Sequence, residues 1–440
     1  MKTPIADFIK SYQKKGFSRF HMPGHKGKKI LGCESLDITE IDGADVLYSA
    51  NGIIEQSEQN ATTLFGTEHS YYSTEGATLA IKAMLYNAYK CGSGKTVVAT
   101  RNCHKAFINA CALLDLDVEW IYSEEKEHFC SCSLSATTLS KAIKNAKQKP
   151  FAVYITSPDY AGNIADIKNL SKVCEYEHIP LLVDNAHGAY SAFITPTFHP
   201  IKLGATMCVD SAHKTLPVLT GGAYLHIAKG EQRYCLQARE ALSLFASTSP
   251  SYLILQSLDL ANAYLEKNAE KYNQLIDKIN CLKLELKNNG YPVLSGEPLK
   301  IVINANQMGY YGYELASLLR KAKIEPEMAD SQILVLMISP QNTNRDLSRL
   351  KKVILSIPIK SPLKTESISI KPAKKALSIK QAVMSNSQAL PLEKAIGKIA
   401  ADTYVCCPPA IPVIVPGEEI DEENARLLNL MGLSSINTVI

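Results

Sequence analysis

Two polar segments end apolar runs in the middle of the chain, and each carries residue types that chemistry can use. Leu182-Val183-Asp184-Asn185-Ala186-His187-Gly188 puts a carboxylate at the end of the first run. A carboxylate there is expensive unless paired, so Asp184 needs a metal, a base or a cationic ring nitrogen. A pyridinium nitrogen suits it, because the carboxylate keeps the ring protonated and the protonated ring accepts electrons. An aspartate capping a helix is the plainer alternative, and it stays open. Ala186 is small enough to let a flat ring lie against the strand. His187 can contact the ring's phenolic oxygen or merely satisfy a loop. The second segment, Asp210-Ser211-Ala212-His213-Lys214-Thr215, follows Ala205-Thr206-Met207-Cys208-Val209. An amine attacks a carbonyl only when neutral, so a reactive lysine needs a lowered pKa or a nearby cation. Desolvation at a strand end, with His213 alongside, offers Lys214 that environment. Ser211 and His213 suit a phosphate oxygen and the rim of a site. Ser-x-His-Lys alone is a weak motif; beside Asp184 it gains a chemical partner. Together they predict a Schiff base between Lys214 and pyridoxal 5'-phosphate.

Further candidates open helices. Ser73-Thr74-Glu75-Gly76-Ala77-Thr78 precedes a helical run to about Lys90, and hydroxyls with free N–H groups at a helix start bind phosphate. An ordinary capping box fits this segment equally well. His104 also opens a helix after a strand, where an imidazole can stack on a bound ring. Gly92-Ser93-Gly94-Lys95-Thr96 imitates a phosphate-binding P-loop, but Tyr89 stands where the motif needs glycine. It also follows a helix and precedes a strand, the reverse of the required order, so a helix-ending turn is the better reading.

The elements that must position these residues alternate. Strands are expected at Thr96 to Ala99, Val118 to Tyr122, Phe151 to Thr156 and Leu181 to Val183. Helices are expected at Ala106 to Leu114 and Asp166 to His178. Such β-α-β alternation with apolar strands predicts an α/β fold with a mostly parallel sheet and flanking helices. Ligands of such sheets sit beyond the carboxyl ends of the strands, where Asp184 and Lys214 fall. One helical run is expected from Ala261 to Leu286. Leu299 to Ile303 and Ile333 to Ile338 then supply strands of a smaller α/β unit. A linker is expected near Lys360, before a helical hairpin-like tail. The expected division is an N-terminal arm (1–60), a large domain (61–256), a small α/β domain (257–360) and a C-terminal helical or α+β domain (366–440).

Bulk properties narrow the classes. The chain has 440 residues, 46% hydrophobic and 20% charged, with a net charge of +4, so a large globular core is affordable and a polyanion partner such as nucleic acid is not indicated. Twelve cysteines include no C-x-x-C pair, which argues against a zinc site, and no metal is expected. Cys130 with Cys132 and Cys406 with Cys407 lie too close in sequence for ordinary bridges, so reduced thiols are expected. No signal core and no run of about 18 apolar residues is present, which predicts a soluble, cytoplasmic protein without membrane contact.

Several segments together resemble a known family. They are His21-Met22-Pro23-Gly24-His25-Lys26-Gly27, Asp37-Ile38-Thr39-Glu40, Gly43-Ala44-Asp45, Asp184 to Gly188, Ser211 to Pro217, Thr248-Ser249-Pro250-Ser251-Tyr252 and Pro408 to Glu418. In this order they resemble the ornithine/lysine/arginine decarboxylases, in the short form without an extra N-terminal wing domain. The resemblance implies fold type I, pyridoxal phosphate as cofactor, and a homodimer or higher homo-oligomer with sites at the subunit interface. It implies Lys214 as the Schiff-base lysine, Asp184 as the ring-nitrogen partner, His104 stacked on the ring and His187 at the phenolic oxygen. Ser73, Thr74, Ser211 and His213 would hold the phosphate, with Ser249 reaching in from the other subunit. The sequence departs from the family at Asn185, where glutamate is usual, at Ala44-Asp45-Val46, and at Tyr72-Ser73-Thr74-Glu75. Glu75 beside a phosphate would repel it unless its side chain points away.

The expected reaction is decarboxylation of arginine, lysine or ornithine to the corresponding polyamine-pathway amine, with His213 or Lys214 returning a proton to Cα. Another pyridoxal-phosphate reaction, such as transamination or a lyase step, is the rival. No arginine on the smaller unit stands out as an aminotransferase's carboxylate anchor. A pyridoxal-phosphate-binding protein without turnover is the second rival.

Overall fold

Most of the strands form from apolar runs rich in Val, Ile, Leu and Ala and are buried, as β-branched and aliphatic side chains favour; His69–Ser73 is buried but polar and aromatic, and Asp117–Ile121 is only partly buried. In the computed structural model they are, in chain order, β1 (His69–Ser73), β2 (Thr96–Thr100), β3 (Asp117–Ile121), β4 (Ala152–Thr156), β5 (Leu181–Asp184), β6 (Met207–Asp210) and β7 (Ala223–Ile227). The structure describes every residue except 124, 126–127, 365–369 and 404–408. The expected pair Cys406 and Cys407, and Pro408, therefore lie outside the described residues. The chain divides into two compact units. The first comprises Met1–Gly94, Phe151–Ile155 and Ile167–Glu270, and the second Lys95–Pro150, Thr156–Asp166 and Lys271–Ile440.

In the first unit the strands lie in the order β1-β7-β6-β5-β4. Strands β5 and β6 are parallel, with Leu182 opposite Met207 and Asp184 opposite Val209. Their connection, which includes a short helical turn at Pro200–Leu203, is long enough for the crossover that parallel pairing requires. β7 runs antiparallel to both β6 and β1, so the sheet is mixed, with its parallel part where β5 and β6 meet. Helices Gly76–Cys91 and Gln232–Phe245 cover β1 and β7, burying Leu79, Ala80, Ala83, Met84, Ala238 and Leu242. Because β5 and β6 point the same way, the segments after Asp184 and Asp210 leave the sheet at one edge. That edge carries Asp184, His187 and Lys214, residues expected to do the chemistry.

In the second unit β2 and β3 pair in parallel around the helix Lys105–Leu114. A smaller antiparallel sheet places β10 (Ile333–Met337) between β8 (Lys300–Asn304) and β9 (Met328–Ala329). The tail differs from the helical hairpin expected. Its core is an antiparallel pair, β11 (Ser387–Pro391) with β12 (Ser435–Val439), accompanied by short helices such as Glu422–Leu430. Alternation in Ser435-Ile436-Asn437-Thr438-Val439 buries Ile436 and Thr438 on one face, a period-2 signal that helical periodicity overrode.

The long helical run also differs. It begins at Tyr252, where Ser251 accepts a hydrogen bond from the Ile254 N–H, and proceeds as Tyr252–Asn268 followed by Glu270–Asn288. Among the described residues no helix is long and apolar enough to cross a membrane.

Candidate active site

Asp184 ends β5 almost fully buried, 2% exposed. Its Oδ1 accepts the Ala186 N–H at 3.1 Å and its Oδ2 accepts the Tyr154 hydroxyl at 3.2 Å. Burial pushes the carboxyl above its ordinary range, while the Ala186 N–H, the Lys214 charge and Tyr154 pull the other way. A carboxyl in this state is stabilised as an anion by an added cation, which is what a protonated ring nitrogen brings. Ala186 and His187 follow directly, His187 buried at 4%.

The other loop is a single helical turn, Ala212–Thr215, projecting from the end of β6. Lys214 is half-buried, and its Nζ lies 3.0 Å from Nε2 of His187, so the two loops meet at the lysine. Ser211 is buried, with its hydroxyl 3.4 Å from Nδ1 of His213. The Gly221 N–H donates to the same nitrogen at 3.4 Å, and the His213 N–H donates to the Gly222 carbonyl at 3.2 Å.

Ser73 ends β1 and Thr74 follows, both buried, just before the helix that begins at Gly76. The Gly76 N–H donates to the Gly221 carbonyl at 2.7 Å, tying this loop to the residues beside His213. Gly76 has φ +73°, and a Cβ there would meet nothing within 4 Å, so open space faces the helix start. The expected repulsion from Glu75 is avoided: its side chain is exposed and its Oε1 accepts the Ser247 N–H at 2.7 Å. Buried hydroxyls, a helix N-terminus and open space at a glycine fit a phosphate group.

Ser249 is exposed in the loop before Tyr252–Asn268, and its N–H donates to the Ser247 hydroxyl at 3.2 Å. His104 belongs to the second unit. It caps Lys105–Leu114 with its Nδ1, which accepts the Ala106 N–H at 3.1 Å, while the Lys105 N–H donates to the Ala410 carbonyl at 2.9 Å. Of the predicted residues, then, Asp184, Ala186, His187, Ser211, His213 and Lys214 come together on adjacent strand ends. Ser73 and Thr74 join them through the Gly76 contact.

Asp210 lies in the lysine segment, with no role predicted for it from sequence. Its carboxylate is wholly buried, and Oδ2 accepts hydrogen bonds from Nε2 of His199 at 3.0 Å and of His226 at 3.1 Å. Oδ1 accepts the Asn185 amide at 2.6 Å. Burial works against its charge, but the two imidazoles overcome that and hold the carboxyl well below its usual range. Asp210 ends an apolar run as Asp184 does, which was a usable signal. His226, inside Ala223-Tyr224-Leu225-His226-Ile227, was another. His199, Cys208 and Asp210 lie close together, and His199 already donates a hydrogen bond to Asp210 at 3.0 Å. In a second such trio, Glu55 and Glu58 both bind Arg239.

The buried carboxylate, the lysine and the hydroxyl-bearing loop at the helix start together fit pyridoxal phosphate. Comparison with known proteins agrees. The family model for the Orn/Lys/Arg decarboxylase major domain matches residues 3–291, and that for the C-terminal domain matches 363–436. The uncharacterized protein YaaO of Bacillus subtilis is 28% identical over 98% of this chain and 94% of its own length. A protein named arginine decarboxylase from the same organism is 28% identical over 96% of this chain and 92% of its own length. Among solved structures, the Francisella novicida lysine decarboxylase LdcF superposes with a TM-score of 0.79 at 18% identity, covering 100% of this chain and 81% of that one. Lysine decarboxylase A of Pseudomonas aeruginosa gives 0.80 at 16% identity, covering 99% and 80%. With both of its family domains matched in order and its fold that of type I enzymes, the chain belongs to the Orn/Lys/Arg decarboxylase family, as a pyridoxal-phosphate-dependent decarboxylase.

Proposed function

We propose that the chain removes the α-carboxylate of arginine, lysine or ornithine as carbon dioxide, leaving the amine used in polyamine synthesis. The observation that carries this reading is Lys214 Nζ at 3.0 Å from His187 Nε2, beside the buried carboxylate of Asp184. Pyridoxal phosphate, when bound, supplies the electron sink for the pair released as the Cα–carboxylate bond breaks. Lys214 would hold the cofactor through its side-chain amine. Asp184 keeps the proton on the ring nitrogen, and its dry surroundings strengthen that pairing. His187 would donate to the phenolic oxygen, and the family resemblance gives His104 the role of stacking on the ring. Ser73, Thr74, Ser211 and His213 would hold the phosphate, with Ser249 supplied by the partner of a cytoplasmic homodimer. His213 or Lys214 then returns a proton to Cα. Arginine is favoured as substrate, on the strength of the full-length relatives named arginine decarboxylase.

The test is direct. Purified protein, reconstituted with pyridoxal phosphate, is offered arginine, lysine, ornithine and neutral amino acids. Agmatine, cadaverine or putrescine with stoichiometric carbon dioxide is expected. A protein that stays colourless on reconstitution, or that releases a keto acid instead, would overturn the reading.

A further inference from the structure

We propose that Asp210 is a positioning residue for the Lys214 site: through Asn185 it locks the loop carrying Asp184 and His187 to the turn carrying Ser211 and Lys214. The inference rests on the reading of Lys214 as the cofactor lysine. It begins with the placement of one carboxylate. Asp210 is the last residue of β6, four before Lys214, and Asn185 is the first residue after β5, two before His187. Asn185 is held to β6 twice, by its N–H to the Val209 carbonyl at 2.9 Å and by its side-chain amide to Asp210 Oδ1 at 2.6 Å. The backbone bond alone leaves the loop free to pivot; the second bond removes that freedom.

The carboxylate is itself fixed from behind. His199, from the segment before β6, and His226, from β7, both donate to Oδ2. His226 continues through its Nδ1 to the Ser70 hydroxyl at 2.8 Å, and Ser70 to Thr67 at 2.7 Å. The chain of bonds thus reaches β1, which ends at Ser73. Phe65 closes the side, with its ring centroid 4.4 Å from that of His226. Burial holds His226 below its usual pKa although Asp210 opposes this, so the anion is not cancelled by two full cations. The other ionisable groups near it are Cys208 on its own strand, Asp184 on β5 and Lys202 beyond His226.

A buried, ionised carboxylate is a poor way to add stability, because apolar side chains of similar volume do as well or better. What such a network contributes is one fixed arrangement. Here the arrangement serves the two loops that carry the lysine, its imidazole neighbour and the ring-nitrogen carboxylate. The charge also acts on Asp184, whose proton affinity it raises. Among the described residues the Asp210 carboxylate makes its hydrogen bonds to Asn185, His199 and His226, so its part is to position rather than to react.

Asn185→Ala in the full-length holoenzyme is the cleanest variant. It cuts the link to the loop and leaves the two imidazoles on Asp210; among the described residues the Asn185 Oδ1 has no hydrogen-bond partner to lose. The expected result is a fall in kcat of about tenfold to a hundredfold with KM nearly unchanged, as a small misplacement of reacting groups produces. The pH profile of the cofactor's visible absorbance should shift as well. In the apo-protein, amide exchange should quicken in peptides covering 184–188 and 211–215 and nowhere else. The exchange of side chains supplies a second test. Asn185→Asp alone sets two carboxylates face to face and should be worse than Asn185→Ala. Adding Asp210→Asn rebuilds every bond, since the amide oxygen still accepts both imidazoles and its nitrogen donates to the new carboxylate; most of the kcat should return. Wild-type kcat, absorbance profile and exchange in Asn185→Ala would overturn the proposal, as would a folded double variant no better than Asn185→Asp. Borohydride trapping and peptide mapping of the wild type separates this from failure of the underlying reading: an adduct on a residue other than Lys214 defeats the reading itself.

Discussion

At Asp184 and Lys214 the chain holds a carboxylate and an amine on adjacent strand ends, the carboxylate where burial pushes its pKa up. Lys214→Ala should abolish the borohydride-trapped adduct and lower kcat by about a thousandfold or more, since no second amine takes over the covalent role. Peptide mapping after reduction and a stopped assay for carbon dioxide check both. Asp184→Asn keeps an oxygen for the Ala186 N–H but cannot hold a ring proton by charge. It should lose about a hundredfold or more in kcat while melting within a few degrees of wild type. A variant that loses stability and keeps activity would make Asp184 a structural cap, the alternative that local sequence leaves open. These residues were legible because a polar residue ending an apolar run is a local feature. The partners of Asp210 were not. His226, with Ser70 behind it, comes to Asp210 through strand register across β6, β7 and β1, and His199 through the turn that precedes β6; such pairing is tertiary, and no single segment displays it. Glu75 shows the same limit: its hydrogen bond to the Ser247 N–H depends on where a distant loop lies.

Among the elements, the N-terminal helix Pro4–Lys14 is tied down by an unusual cap. Thr3 makes no side-chain cap, and instead Asp259, within Tyr252–Asn268, accepts the Ile5 and Ala6 N–H groups at 3.0 Å each. Its other oxygen accepts the Ser57 hydroxyl at 2.6 Å, so one carboxyl joins three helices. Burial pushes this carboxyl up to about 6, against those three hydrogen bonds. An acid with a raised folded pKa binds its proton more tightly when folded, so stability falls as pH rises from the unfolded value of about 4 to about 6. Above that window the loss is complete, on the order of 3 kcal/mol. Asp259→Asn removes the charge and keeps an acceptor. Its melting temperature relative to wild type should therefore rise between pH 4 and pH 6 and then level off. Thermal melts at pH 4, 5, 6 and 7 decide it; a relative gain by the wild type over that range would mean the group is ionised throughout. Strand positions in the alternating region were readable to within one or two residues. The two-stranded tail and the early start of Tyr252–Asn268 were not, because a period-2 pattern of five residues and a single serine cap are weak signals beside long helical periodicity.

At the scale of the molecule, the proposed cofactor contacts are unevenly shared. Apart from His104, every residue assigned to them lies in the first unit, which spans about 200 residues, while the second has its own apolar core around Val302, Val335, Ile411 and Ile420. A ligand that binds only the folded state stabilises it by mass action, by about 2.7 kcal/mol at a free concentration of a hundred times Kd. For a unit of this size that gain corresponds to a rise in Tm of roughly 5–10 °C. Spread over the whole chain melting as one body, it would be only about 3 °C. Calorimetry on hydroxylamine-stripped protein, with and without added pyridoxal phosphate, therefore reports both cofactor binding and the size of the cooperative block it reinforces. The larger shift is expected, confined to one transition and growing with the logarithm of cofactor concentration. Lys214→Ala should keep part of it, because the phosphate and ring contacts remain after the covalent link is gone. A melting curve that pyridoxal phosphate leaves unmoved at any concentration would sink the assignment of these loops as its binding site, whatever activity the protein showed.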